Sequence, residues 1–597
     1  MLKRLYSQDK RVISYDRTNV LATFSITIIL SIIPTVRTYI ETQILNLLAN
    51  HKGNIRYLML FVGLLLIILL FREGISEYQE YRNQILSESI EKGLLLDVLN
   101  KISKIQYHYF EDSMSYDRMH RVIKKGAEYG ASMIENTFSL IQILSSIVFL
   151  AIMVAKRSWL CCVLIILLEI PILFLSYSNG TMNYQASQEA TEADRRSEYF
   201  SSMFYSKKSI YELSVFDCFQ FWNKKWKEDF SKVRTIEMRG FQKYFIRIRF
   251  VIGINAVFLT IIFLILFVSM DYTTENISFA IAFIGNMSAL FKKQTDELPY
   301  CLSEIVEGCK YEEDFKKFMA FDEIQMGEKR EKQKICKIVC KDVRFHYPGS
   351  NHYVLDGISC SLDFDKNYAI VGTNGVGKTT LIKLLVGLFT EYEGSIKVDG
   401  REVREMQQCE FEDLYAVVFQ DFARYATSVF DNIVFGREKS KSNIEKVIHC
   451  LKQVNIWDKV EKMPQKEFTE LGKFTSGSVE LSYGEWQKIA IARAMVKGAR
   501  ITILDEPTSA LDPSMEYEIY QSMSKNFHKG TIMISHRLMS VKDVDEILVL
   551  DDGKIVQAGS HKELMNQDGR YREMYESQRK WYDEGYQIAS GNCLSGV

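Results

Sequence analysis

The chain is 597 residues long, 47 % hydrophobic and 25 % charged, with a formal net charge of -1. That length is too great for one hydrophobic core and predicts two or three domains, while the balanced charge gives no electrostatic footprint for nucleic acid. The eleven cysteines are scattered, which suits free thiols in a reducing compartment; Cys336 and Cys340 form a close pair but have no second Cys or His pair to complete a zinc site.

In chain order, residues 1–18 are a short basic segment (Lys3, Arg4, Lys10, Arg11, Arg17) without the cleavage pattern of a signal peptide. Apolar runs follow at 19–40, 56–72, 137–155, 159–178, 251–270 and 277–292. Most approach the ~20 residues a helix needs to cross the hydrocarbon layer, and the last is short. Crowded into the first half of the chain, they predict six transmembrane spans. Short connections at 41–55, 156–158 and 271–276 alternate with long ones at 73–136 and 179–250. The second long loop is dense in Lys and Arg (Arg195, Arg196, Lys207, Lys208, Lys224, Lys225, Lys227, Lys232, Arg234, Arg239). With the basic N-terminus, this places the N-terminus and both long loops on the cytoplasmic side. Apolar residues at helical spacing, such as Leu94, Leu95, Val98, Leu99 and Ile102, predict that spans two to five continue as rods. The fourth run holds one carboxylate deep within it, Glu169, two residues before Pro171. A charge at that depth costs about 2.5–3.5 kcal/mol on insertion scales, so Glu169 is expected to face protein or water. Pro171 removes one amide and leaves a carbonyl free nearby.

A helical membrane domain is therefore expected over 19–330. Residues 293–335 are polar and close on the charged run Glu328-Lys329-Arg330-Glu331-Lys332, which reads as a solvated linker. A soluble α/β domain is expected over 336–575, and 576–597 as a tail, without apolar period from Lys580 onward. In the α/β domain, Val371-Gly372-Thr373-Asn374-Gly375-Val376-Gly377-Lys378-Thr379-Thr380 fits G-x-x-x-x-G-K-[ST] at every fixed position. A short apolar strand, Tyr368–Val371, precedes it and an apolar helix, Leu381–Leu385, follows. The glycines let backbone amides wrap phosphate oxygens, the helix start adds its positive end, Lys378 reaches the β- and γ-phosphates, and Thr379 offers a hydroxyl to Mg²⁺. This loop predicts ATP or a related nucleoside triphosphate as ligand.

Downstream, Arg500–Glu506 is an apolar strand ending in two carboxylates. Asp505 is placed to hold Mg²⁺, and Glu506 to orient or deprotonate an attacking water. A second strand end, Ile534-Ser535-His536, delivers a histidine able to donate to the γ-phosphate. Between them lie Val417-Val418-Phe419-Gln420 and Leu481-Ser482-Tyr483-Gly484-Glu485-Trp486-Gln487. In order and residue type, these motifs together with Ser509-Ala510-Leu511-Asp512 resemble the ATP-binding-cassette family over the whole soluble domain. The resemblance implies an α-helical transmembrane domain followed by an α/β P-loop NTPase domain of ABC type, hydrolysing ATP at a head-to-tail dimer interface. It also puts Gln420 among the nucleotide and Mg²⁺ ligands, stacks Tyr347 on adenine, and sends the signature Ser482, Tyr483, Gly484 and Glu485 to the nucleotide of the opposite chain.

Six spans before one such domain resemble the half-transporter form of the exporter class. Tyr109-Phe110-Glu111-Asp112 and Tyr211-Glu212-Leu213 sit where the docking helices of that class turn. The surroundings of Gln420 and Gly484 are most similar to exporters of lantibiotics and other small peptides. Eighteen residues before the first span leave no room for the N-terminal peptidase of some peptide exporters. The expected function is ATP-driven export of a peptide across the cytoplasmic membrane by a dimer; the alternatives are a lipid or amphipathic drug as cargo, and an ATP-gated switch that does not pump. Glu506 and His536 favour turnover, and the fused spans exclude importer and soluble translation-factor cassettes. The usual signature has glycine where this chain has Tyr483, which would crowd the opposite nucleotide. A tolerated change in a homodimer is preferred to a heterodimer with one impaired site. Glu169 is then read either as a carboxyl packed between spans or as a cavity group that receives a positive group on the cargo, with Arg37 as a candidate partner.

Overall fold

A computed structural model describes residues 15–49, 55–155, 158–269, 273–324, 337–473, 475–506 and 530–579. Lys3 to Arg11 of the basic segment, the charged run 328–332, Cys336, Ser509–Asp512 and the tail from Lys580 lie outside the described residues. Two compact units emerge, one of residues 1–104 and 113–321, the other of 105–112 and 322–597.

The first unit is helical: α1 (Arg17–Ala49), α2 (Ile55–Ile102), then, after the short α3 (His108–Glu111) that groups with the second unit, α4 (Ser113–Arg121), α5 (Ala127–Ala155), α6 (Trp159–Tyr205), α7 (Lys207–Val215), α8 (Phe219–Ser269) and α9 (Thr274–Met319). Among the described residues, α1, α2, α5, α6 and α8 are long and apolar enough to cross a membrane. The sixth expected span lies on α9, a continuous helix whose apolar stretch gives way to Lys292, Lys293 and Asp296. Helices α2, α6 and α8 have 48, 47 and 51 residues. At ~1.5 Å per residue they run to about 70 Å, more than twice the hydrocarbon thickness, so the rods expected for spans two, four and five are present. The third span instead lies on α5, only 29 residues long and set off from α4 by the π-helical turn Val122–Gly126. Beyond their apolar stretches they are held by polar contacts. Asp314 of α9 accepts from Tyr184 of α6 at 2.8 Å and from Arg121 of α4 at 3.0 Å, and Ser187 pairs with Tyr311 at 2.8 Å.

In the second unit, an antiparallel sheet in the order β2–β1–β4–β5 is formed by β1 (Lys337–Phe345), β2 (Leu355–Asp363), β4 (Glu393–Val398) and β5 (Arg401–Glu402). A larger sheet has the order β10–β9–β3–β8–β7–β6, from β3 (Tyr368–Val371), β6 (Tyr415–Val418), β7 (Ile501–Asp505), β8 (Thr531–Ile534), β9 (Glu546–Asp551) and β10 (Lys554–Gly559). Its β3, β6, β7, β8 and β9 pair in parallel, so their side chains are covered on both faces, and β3, β7 and β8 are buried at every position. The helices α10 (Lys378–Leu385), α11 (Val429–Val434), α12 (Lys441–Gln453) and α13 (Tyr483–Lys497) supply the facing cores, with Leu381 and Leu384 on one side and Val447, Ile489 and Ile491 on the other. Each fully buried Leu, Ile or Val contributes ~1.5–3 kcal/mol. Because β8 lies between β3 and β7, the C-terminal ends of these three strands emerge side by side. Open parallel sheets bind ligands at such an edge.

Candidate functional site

The edge begins with the phosphate loop. A Cβ at Gly372 would sit 2.3 Å from the Leu550 carbonyl oxygen, and one at Gly377 would sit 2.7 Å from the Leu355 side chain. Gly377 also caps α10 in the left-handed region, φ 101°, which glycine tolerates without strain. These two positions therefore have to be glycine for the chain to turn from β3 into α10. Lys378 is buried and folds back over the loop, its Nζ donating to the carbonyls of Gly372 at 3.0 Å and Thr373 at 2.9 Å. Burial lowers its ammonium pKa. Thr373, Asn374, Gly375 and Val376 form the turn itself, and Thr380 is the third residue of the helix, its hydroxyl 3.0 Å from that of Tyr347.

Asp505 ends β7 and is 1 % exposed. Its Oδ2 accepts from the Thr379 hydroxyl at 2.8 Å, while Oδ1 is buried with no hydrogen-bond partner. Burial pushes this carboxyl up and the Thr379 bond pulls against it. A hydroxyl and a carboxylate with an unsatisfied buried oxygen are hard oxygen ligands beside a phosphate loop, and they fit a divalent cation.

Glu506 follows with φ 49°, an uncommon backbone state for a residue with a side chain. Its amide is held by the Ile534 carbonyl at 3.1 Å, fixing it to β8. One carboxylate oxygen lies 3.0 Å from His536 Nδ1, and the other accepts from Gln420 Nε2 at 3.0 Å. Gln487, on α13, donates to the Glu506 carbonyl at 3.5 Å. Residues from β6, β7, β8 and α13 thus converge on one acid. The strain at Glu506 is of the kind that collects at functional sites.

Ser482 caps α13, and Glu485 closes a reciprocal capping box with it while also receiving Lys459 at 2.7 Å. Gly484 is the second residue of that helix. Among the described residues, no hydrogen bond or ring contact joins Ser482, Tyr483, Gly484 or Glu485 to the phosphate loop of the same chain. Tyr347 is half-buried, its ring edge-on to Phe345 and Phe389. Lys383 of α10 lies 5.7 Å from the Tyr347 ring centre, 5.6 Å from that of Tyr107, and 3.7 Å from Glu111. The resemblance puts Tyr109–Asp112 at a docking helix, but no motif in the sequence singles out Lys383 as the residue it meets. Gln487 was visible only as part of the signature string.

Glu169 on α6 is 7 % exposed, and its Oε2 has no hydrogen-bond partner. Asn255 of α8 donates to the neighbouring Leu168 carbonyl at 3.0 Å, next to the carbonyl freed by Pro171. Arg37 is not its partner: that guanidinium is 2.7 Å from Glu41, which also accepts from Asn286 at 2.6 Å.

A family model described as ABC transporter matches residues 355–509. Over its length the chain is similar to the subtilin transport ATP-binding protein SpaT of Bacillus subtilis, 30 % identical over 612 residues that cover 98 % of each protein. It is also similar to an ATP-dependent lipid A-core flippase of Methylobacillus flagellatus, 35 % identical over 242 residues, 40 % of this chain and 41 % of the flippase. Among solved structures, a bacterial Atm1-family ABC exporter with ATP bound superposes with a TM-score of 0.80 at 20 % identity, covering 94 % of this chain and 98 % of the other. At that identity the match speaks for the fold.

Proposed function

The chain belongs to the ABC transporter family, and from that membership we propose that it exports a peptide across the cytoplasmic membrane as a dimer of half-transporters, each carrying one ATP site. It is a multi-pass membrane protein and an ATPase coupled to export. Full-length similarity to a protein named for subtilin transport supports peptide cargo. The flippase similarity spans under half of either chain and carries no argument about cargo.

The observation that carries the enzymatic part is the Glu506 carboxylate, fixed between His536 and Gln420 on the strand edge that bears the phosphate loop. In this reading Lys378 exchanges its loop carbonyls for β- and γ-phosphate oxygens, and backbone amides of Gly372 to Thr380 wrap the phosphates. Tyr347 supports the adenine. Thr379, Asp505 and Gln420 would hold Mg²⁺, which when bound neutralises phosphate charge. Glu506 orients the water and takes its proton, while His536 donates to the γ-phosphate and keeps the carboxylate aligned. Ser482 and Gly484 lie at the start of α13 and, in the dimer of this family, would close over the partner's nucleotide. An acid positioned by two side chains supports turnover rather than an ATP-gated switch.

The test is ATPase activity and transport by the purified chain in proteoliposomes with Mg-ATP. Subtilin-type peptide is expected to stimulate hydrolysis and to accumulate in vesicles with outward-facing nucleotide domains. Stimulation by lipid or amphipathic drug with none by peptide would replace the peptide reading.

A further inference from the structure

Tyr483 stands where glycine was expected, and the structure shows what it touches. It is the first residue of α13, and its φ is not positive, so the backbone makes no demand for glycine there. The ring turns toward the loop that follows β6 in its own chain. Its centre is 5.4 Å from that of Phe422, tilted by 50°, and the Arg424 guanidinium sits 4.7 Å above it and 5.7 Å from Phe422. The Tyr483 hydroxyl donates to the Gln420 carbonyl at 3.4 Å. Gln420 in turn donates its side-chain amide to Glu506. The same helix grips the same loop again farther along, where Arg493 donates to the Ala423 carbonyl at 3.3 Å, and it also holds α11 through the Asn432 carbonyl at 2.8 Å.

We propose that Tyr483 is a positioning residue that ties the signature helix to the Gln420 loop of its own chain and so sets Gln420 against Glu506. Arg493 secures the back of the loop through one carbonyl, and Tyr483 secures the front, beside the residue that touches the acid. A glycine there removes the ring and hydroxyl contacts at the front of the loop and leaves those of Arg493 at the back. The inference rests on the dimer reading in one respect: the signature that closes over one nucleotide is then mechanically joined to the catalytic loop serving the other. The alternative, that Tyr483 acts by crowding the opposite nucleotide, predicts a faster enzyme when it is replaced by glycine. Positioning predicts a slower one, through kcat rather than KM for ATP.

Mixed dimers separate the two. Two differently tagged chains are co-expressed and the doubly tagged species purified, with Glu506→Gln in one chain so that only the other chain's Glu506 works. Tyr483→Gly is then placed either in the chain with the working Glu506 or in the Glu506→Gln chain. Positioning in cis gives the larger fall in kcat, about tenfold for the loss of a hydrogen bond and a cation–π contact, in the first placement. Arg424→Ala reproduces that fall and adds little to Tyr483→Gly, and Tyr483→Phe, which keeps the ring contacts, restores most of the rate. A larger effect in the second placement, or equal effects in both, overturns the inference. Failure to recover a doubly tagged species rejects the homodimer reading instead. Amide exchange in the full-length chain then decides alone: Tyr483→Gly raises deuterium uptake over 419–425, and unchanged uptake overturns the positioning role.

Discussion

At the scale of single residues, the site is built from groups that each do two things. Thr379 is both a helix residue and the donor to Asp505; Glu506 is both a strained strand end and the acceptor for Gln420 and His536. Such double use makes the chemistry sensitive to single atoms. Glu506→Gln keeps shape and removes the carboxylate proposed as base. Hydrolysis is expected to fall by at least ~10²-fold, while ATP binding persists and closed dimers accumulate. Turnover by purified Glu506→Gln near the unsubstituted rate would take the catalytic role away from this residue.

At the scale of elements, two junctions bring together groups that lie far apart in the sequence. One is the start of α13, where a capping box, the Tyr483 ring and Arg493 fix a helix to a loop. The other is the short α3, grouped with the nucleotide-binding unit. Gln106 pairs with the Asp322 carbonyl at 3.2 Å, and the Tyr107 ring meets Phe389 edge-on at 5.4 Å. Lys383 spans from α10 to Tyr107 and Glu111. Because α10 begins at the phosphate loop, this contact sets 105–112 against the helix that starts at the nucleotide site. Tyr107→Ala removes one aromatic pair, worth about 0.5–1.5 kcal/mol beyond burial. It is expected to leave most basal ATPase activity while abolishing stimulation by cargo. Undiminished stimulation in reconstituted vesicles would show that this contact only packs.

At the scale of the whole molecule, the first unit contains four helices of 46 to 51 residues, far longer than a bilayer crossing needs. Within that unit Glu169 is buried with an oxygen left unpaired, beside a proline and an asparagine-bound carbonyl. Buried polar groups are normally satisfied, so an unpaired one inside a transporter span points to a ligand or to an exchangeable proton. Glu169→Gln is expected to abolish cargo-stimulated ATPase and transport while basal hydrolysis and thermal stability stay nearly unchanged. Lost stability with intact stimulation would make Glu169 a packing group.

The sequence by itself determined the chemistry of the nucleotide site and the class of the fold. The phosphate loop depends on consecutive residues, Gly372 to Thr380, and the spans on runs of apolar side chains, so local pattern suffices for both. It also marked the strand ends that carry Asp505, Glu506 and His536, because buried parallel strands are continuous apolar runs. Only the tertiary structure decided which of these meet. That Glu506 lies between Gln420 and His536 follows from strand order, and strand order is not written in any one segment. Arg37 is a candidate partner for Glu169 on sequence, although it sits nearer the outer end of its span, and the fold gives it to Glu41 one helical turn away. Tyr483 stands in a motif known for what it touches on the opposite nucleotide, and that is all its sequence position tells. Its contacts in its own chain come from residues some 60 positions earlier, which only the fold brings within reach of its ring.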